Sequence, residues 1–227
     1  MNMFNPTHQQ IAQALKSPLE HVKQNWDIIK NDLRLFGIVS DAGQIAVLAT
    51  ISVEARVFLP IREYGNAAYF TKMYDIKGAR PAKAKELGNL APGDGAKYCG
   101  RGFVQTTGKN NYAELNPILR KFMNDPKIDL VANPDLLLQT RPASIAMADY
   151  VSKRGTCAWA QKAMTTQEKT CKFCASGNAT SQGKRPRFTD RVCSECCWKH
   201  VRKTVNGGLN HYKEFRQSVD NLSKLIT

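Results

Sequence analysis

The chain has 227 residues, 42% apolar and 23% charged, which suits one generous globular domain or one domain with a small insertion. No apolar run is long enough to cross a bilayer, so a membrane-spanning role is excluded. A formal charge of +14 favours polyanionic partners, whether nucleic acid, anionic lipid or an acidic wall polymer, without choosing among them.

Helical periodicity appears first at 7–16 and then at 18–36, where Leu19, Val22, Trp26, Ile29, Leu33 and Phe36 mark one buried face and Gly37 closes the helix. A third helix, capped by Asp41, carries Ile45, Leu48, Ile51, Ala55 and Leu59 until Pro60 stops it. Residues 61–99 read as loop, with scattered aromatics (Tyr64, Tyr69, Phe70, Tyr74) and a turn at Pro92-Gly93-Asp94-Gly95. Further helices are predicted over 110–124, 140–153 and about 210–226, with a short extended piece and turn at 129–135. Strand signals are few, so the fold class is mainly α with minor β. From 163 to 198 the apolar periodicity is lost, and this stretch reads as a cysteine-rich insertion within a body formed by 1–162 and 199–227.

The stretch from Gly100 to Tyr112 holds Gly100, Gly102 and Gly108 among Gln, Thr and Asn side chains, bracketed by Phe103 and Tyr112. Close backbone approach with neutral hydrogen-bonding groups suits a polyhydroxylated ligand, whereas a phosphate loop would end in Gly-Lys-Ser/Thr. An ordinary glycine-rich turn is the plainer reading. Upstream, Glu54 lies in the apolar end of the third helix, and partial desolvation there favours the neutral carboxyl that a general acid requires. Glu63 follows nine residues later, which on one continuous helix would be about 13.5 Å away on the opposite face. A break at Pro60 lets the chain bring Glu63 back across a cleft. Inverting glycosidases hold their carboxyls about 6.5–9.5 Å apart around a water. A Glu on the polar edge of an amphipathic helix is the competing account of Glu54.

Taken together, Glu54, the segment Pro60-Ile61-Arg62-Glu63-Tyr64-Gly65, Pro92-Gly93-Asp94-Gly95, Tyr98 with Gly100-Arg101-Gly102-Phe103-Val104-Gln105, Thr107-Gly108, Asn111-Tyr112, Asp129 to Leu136 and Val205 to Asn210 resemble, in order, the family 19 glycoside hydrolases. These are chitinases with a lysozyme-like fold, and the likeness is greatest to their bacteriophage endolysin branch. The resemblance implies a lysozyme-like catalytic cleft in which Glu54 is the general acid, Glu63 the base that activates water, and Thr107 the hydroxyl holding that water. It implies sugar contacts from Gln105, Asn111 and Asn206, and cleft-wall positions for Tyr98 and Arg101. Relatives often carry His just before the acid, where this chain has Val53. The cysteine-rich insertion is no part of the family core.

Cys171-x2-Cys174 and Cys193-x2-Cys196, eighteen residues apart, have the spacing of a four-thiolate zinc ribbon. Disulfides or free thiols are the alternatives, and an odd total of seven cysteines argues against a complete disulfide framework. Cys99 reads as packing, and the four histidines as having no special role, with replacement of one cysteine ligand by His200 a minor alternative. No cofactor is expected for catalysis; a structural zinc ion is.

The function expected is hydrolysis of β-1,4 links in peptidoglycan by a monomeric endolysin, with positive charge matched to an anionic wall. No secretory signal is visible at the N-terminus, so the expectation is synthesis in the host cytoplasm and release by a separate pore-forming protein. Chitin is the alternative substrate. A zinc-ribbon nucleic-acid-binding protein, using the basic cluster Lys184, Arg185, Arg187 and Arg191, is the alternative from another class, and a wall-targeting role for the insertion is a third.

Overall fold

A computed structural model describes residues 4–167, 169 and 193–226. Among them, eleven α-helices surround two short strands: α1 (His8–Leu15), α2 (Leu19–Leu35), α3 (Asp41–Glu54), β1 (Ile61–Arg62), α4 (Ala67–Tyr74), α5 (Pro81–Glu86), α6 (Asp94–Lys97), β2 (Arg101–Gly102), α7 (Lys109–Met123), α8 (Thr140–Lys153), α9 (Thr156–Thr165), α10 (Ser194–Asn206) and α11 (Tyr212–Ser223). A 3-10 turn at Pro134–Leu138 precedes α8.

Local chemistry sets the ends of the first three helices. Thr7 and Gln10 form a reciprocal capping box at α1. Gly37, at φ 71°, closes α2 as Ile38 N–H reaches back to the Leu33 carbonyl. Ser40, rather than Asp41, caps α3 by accepting from Gly43 N–H.

α3 is the centre of the molecule. Every residue from Ala42 to Ile51, and Val53, is buried, so the helix has no polar face. It packs on α9 and α11, while α2 packs on α8 and α9 on α10. The main core joins α1, α2, α3, α9, α10 and α11 through residues such as Trp26, Leu48, Trp198 and Phe215. A second core gathers Tyr98, Tyr112, Leu119, Leu130, Leu137 and Ile145, and Phe36 packs against both.

Three features depart from the sequence-based expectations. α3 ends at Glu54, six residues before the proline expected to stop it, because the chain then turns through left-handed Arg56 (φ 38°) and Phe58 (φ 59°). The loop expected at 61–99 contains α4, α5 and α6, helices of eight, six and four residues, too short for a periodic pattern to register. The boundaries expected at 163 and 198 fall inside packed helices: Ala163, Cys197 and Trp198 belong to the main core. Most of the cysteine-rich stretch, including Cys171, Cys174 and the basic cluster, lies outside the described residues.

Candidate active site

Glu54 is the last residue of α3, where the buried helix reaches the surface. Its side chain is 19% exposed, and its Oε1 accepts from Arg202 Nη1 at 2.5 Å. Arg202 comes from α10 and is 1% exposed on its side chain; its Nε donates to the Asn210 carbonyl at 2.9 Å. A buried guanidinium is stable only when paired, and here the carboxylate supplies the counter-charge. Glu54 is therefore neither an unpaired acid beside an apolar stripe nor a residue on a polar helix edge. Tyr150 of α8 stands nearby, its hydroxyl donated to the Val205 carbonyl at 2.5 Å. Burial pushes its phenol up, Arg154 opposing and the Glu54 carboxylate adding to the rise.

Arg202 is the residue that sequence reasoning missed. Trp198, Val201 and Val205 are buried around it at helical spacing, so an arginine on an otherwise core-facing side of α10 was the available signal.

Glu63 is placed by sheet pairing. β1 runs antiparallel to β2, with Ile61 opposite Gly102 and Arg62 opposite Arg101, and Glu63 N–H donates to the Gly100 carbonyl at 2.8 Å. Both carboxylate oxygens are held: Tyr74 O–H donates to Oε1 at 2.8 Å and Gly100 N–H to Oε2 at 3.0 Å. Burial, and then the hydrogen bond to Glu63, push the Tyr74 phenol up, so it remains a donor. Gly100 is required by contact: a Cβ there would lie 2.8 Å from Gln105 Oε1 and 3.1 Å from Glu63 Oε2. The same atoms place Gln105 and Glu63 against one Cα.

Next to Tyr74, Asp75 organises the turn at 92–95. Its carboxylate accepts from Gly93 N–H at 2.7 Å, Gly95 N–H at 3.4 Å and Lys77 N–H at 3.2 Å. Burial opposes ionisation, but these backbone donors hold the carboxyl below its usual range.

Gln105 adopts φ 53° and donates Nε2 to the carbonyls of Ile61 (3.1 Å) and Gly102 (2.9 Å), which ties the glycine-rich stretch to β1. Thr107 is half-buried and donates its hydroxyl to the Gln105 carbonyl at 2.9 Å, leaving the oxygen lone pairs as acceptors. Asn111 is exposed but turns its Nδ2 back to the Thr107 carbonyl at 2.6 Å. Asn206 ends α10 one turn after Arg202; its side chain is outside what the structure describes.

Two expected cleft-wall residues are inside the protein instead. Tyr98 is 1% exposed, with its ring beside Tyr112 and its hydroxyl donated to the Val131 carbonyl at 3.1 Å. Arg101 is 2% exposed; its Nε meets Asp135 at 2.7 Å, and its Nη1 reaches the carbonyls of Lys97 and Cys99 and the hydroxyl of Tyr112. Neither presents surface to a sugar. Both brace the loop that carries Gly100. Phe103 and Tyr112, the aromatic brackets of that stretch, are fully buried as well.

Cys193 caps α10, its sulfur accepting from Cys196 N–H at 3.3 Å. Burial raises the Cys157 thiol to about 11 and also raises that of Cys197. Cys99 is fully buried, as expected. Among the described residues no three His, Cys, Asp or Glu side chains converge, and Cys171 and Cys174 lie outside them.

No family model and no curated protein matches the sequence. Among solved structures, chitinase C from Streptomyces griseus HUT6037 is similar over 100% of this chain and 94% of its own, at 16% identity and a TM-score of 0.50. A point mutant of chitinase C matches over 99% and 94%, at 15% identity and the same TM-score. At such identity the likeness establishes architecture alone: the described residues have the mainly α, lysozyme-like fold of chitinase C.

Proposed function

We propose that this protein is a glycoside hydrolase that cleaves β-1,4 links between amino sugars by an inverting mechanism, and that its polymer is peptidoglycan. The observation that carries this reading is a pair of carboxylates, each locked by its own donors, at the two ends of one short connector in a chitinase-like fold. In the proposed mechanism the Glu54 carboxylate, paired with Arg202 in the free protein, takes a proton from solvent on Oε2, the oxygen that Arg202 leaves free, and gives it to the departing glycosidic oxygen. Giving up that proton restores the ion pair with Arg202, so charge develops where a cation already stands. Glu63 retains a lone pair on each oxygen beyond those taken by Tyr74 and Gly100, and accepts a proton from the attacking water. Thr107 and Gln105, whose oxygens lie on the same loop, help hold that water and the sugar.

The net charge of +14 supports an anionic wall polymer, and lysis of a host wall is the role we assign to the activity. The likeness to chitinase C favours a second reading in which the same chemistry acts on chitin. Muropeptide analysis after digestion of purified peptidoglycan, beside release of sugars from chitin oligomers, separates the two. New reducing ends in peptidoglycan are expected; cleavage of chitin alone would transfer the assignment to chitin, and cleavage of neither would refute the enzyme reading. Glu54→Gln is expected to lower turnover by about 10²–10⁴-fold, since it keeps the shape and removes the proton.

A further inference from the structure

Between Glu54 and β1 the chain makes a turn that its own sequence does not favour. Arg56 (φ 38°) and Phe58 (φ 59°) both take left-handed backbone conformations, which are strained for residues that carry a Cβ. Such a turn persists only where the surroundings over-determine it, and here the hydrogen bonds show how. The carbonyls of Arg56, Val57 and Phe58, consecutive in the chain, each accept from a side chain of one neighbouring segment. Ser17 Oγ donates to the first at 3.4 Å, His21 Nδ1 to the second at 2.7 Å, and Asn25 Nδ2 to the third at 3.0 Å.

The spacing is regular. His21 and Asn25 are one turn apart on α2, and Ser17 stands one turn earlier, just before the helix begins. A carbonyl oxygen only accepts, so His21 carries its proton on Nδ1, as it does in the charged ring and in one neutral tautomer. Asn25 is fully buried and cannot be turned round: its Nδ2 also donates to the His21 carbonyl at 2.7 Å, and its Oδ1 accepts from the Thr140 hydroxyl at 2.5 Å. Among the described residues, none of the three side chains hydrogen-bonds to Glu54 or Glu63. What they grip is the backbone joining those residues.

We infer that Ser17, His21 and Asn25 form a template that sets the relation of Glu54 to Glu63, making them positioning residues for the hydrolysis proposed above, on which this inference rests. Proton donation and water activation depend on the placement of both carboxyls to within a fraction of an ångström, and an error near 1 Å costs about 10²-fold in rate. The edge residue His21 is the member to test, because it is half-exposed whereas Asn25 is locked into the core. An asparagine at 21 carries its amide nitrogen at the place of Nδ1. A glutamine keeps bulk and polarity but carries its nitrogen one methylene further out.

The experiment measures kcat and KM on the polymer that the protein cleaves, with thermal melting and amide hydrogen exchange on the same samples. His21→Ala and His21→Gln are expected to lose about tenfold or more in kcat with KM changed less than about twofold, and His21→Asn to recover most of the loss. Exchange at Val57, Leu59 and 61–63 should quicken in His21→Ala while exchange within α3 does not. Equal activity in His21→Ala and the unmodified protein, equal loss in His21→Asn and His21→Ala, or a loss that tracks melting temperature alone would each overturn the inference. If the unmodified protein cleaves no amino-sugar polymer, the functional reading fails and this inference fails with it. If it cleaves and the variants behave as the unmodified protein does, only the inference fails.

Discussion

Truncating Glu54 removes the counter-charge of the Arg202 guanidinium, whose side chain is 1% exposed, and leaves its hydrogen bond to the Asn210 carbonyl. Breaking a buried ion pair from one side costs about 3–5 kcal/mol. Glu54→Ala should therefore lower stability by roughly that amount as well as abolish turnover, whereas Glu54→Gln keeps an acceptor for Arg202 and should lower it far less. Denaturant melts of the two variants check this; equal, small losses would mean that the pair is a surface contact. Arg101→Met makes the parallel case in the second core. It removes contacts to Asp135, Tyr112 and two carbonyls, and should cost about 3 kcal/mol and reduce activity by loosening the Gly100 loop. The roles of Tyr98 and Arg101 were misread because a motif gives order along the chain and not the side to which a residue points. Gly100 was easier to read, since close approach leaves a glycine behind. Arg202 and Tyr74 had no motif of their own and emerge only when α10 and α4 fold against Glu54 and Glu63.

At the scale of elements, two buried carboxyls tilt stability in opposite directions with pH. Asp32 on α2 faces Arg141 at 3.6 Å, and burial raises its carboxyl above 3.8 despite the nearby Ser144 hydroxyl and the charge of Arg141. The native state then holds a proton that the unfolded chain releases, so its contribution is present below pH 3.8 and is lost as pH rises through the folded value. Asp32→Asn should stabilise the protein at neutral pH, with an advantage that shrinks on acidification. Asp75, held below 3.8, contributes stability above that pH and loses it as pH falls toward its folded value. Asp75→Asn should weaken the protein at neutral pH and little in strong acid. Melting temperatures across a pH series report both slopes, and matching slopes for the two variants would contradict the assignment. The long helices were legible because ten or more residues repeat a pattern, and α7 and α8 lie within a residue of the positions read from periodicity. α4 to α6 were not legible, since four to eight residues give a period too little room.

Over the whole molecule the charge of +14 should speed encounter with an anionic wall and make binding fall as salt rises. Co-sedimentation with sacculi over a salt series measures this, and salt-independent binding would argue for neutral sugar contacts alone. The described residues also fix where the cysteine-rich segment leaves and rejoins the body. Lys169 accepts from Glu195 N–H at 3.2 Å, so the chain that departs after α9 starts beside the first turn of α10, to which it returns. Its two ends are thus already clasped. Closing a loop of half the length changes the entropy by only about 0.6 kcal/mol. With the ends held together, a few glycines in place of 171–191 are expected to leave melting and turnover nearly unchanged, and a fall in either would tie that segment to the stability or the chemistry of the body.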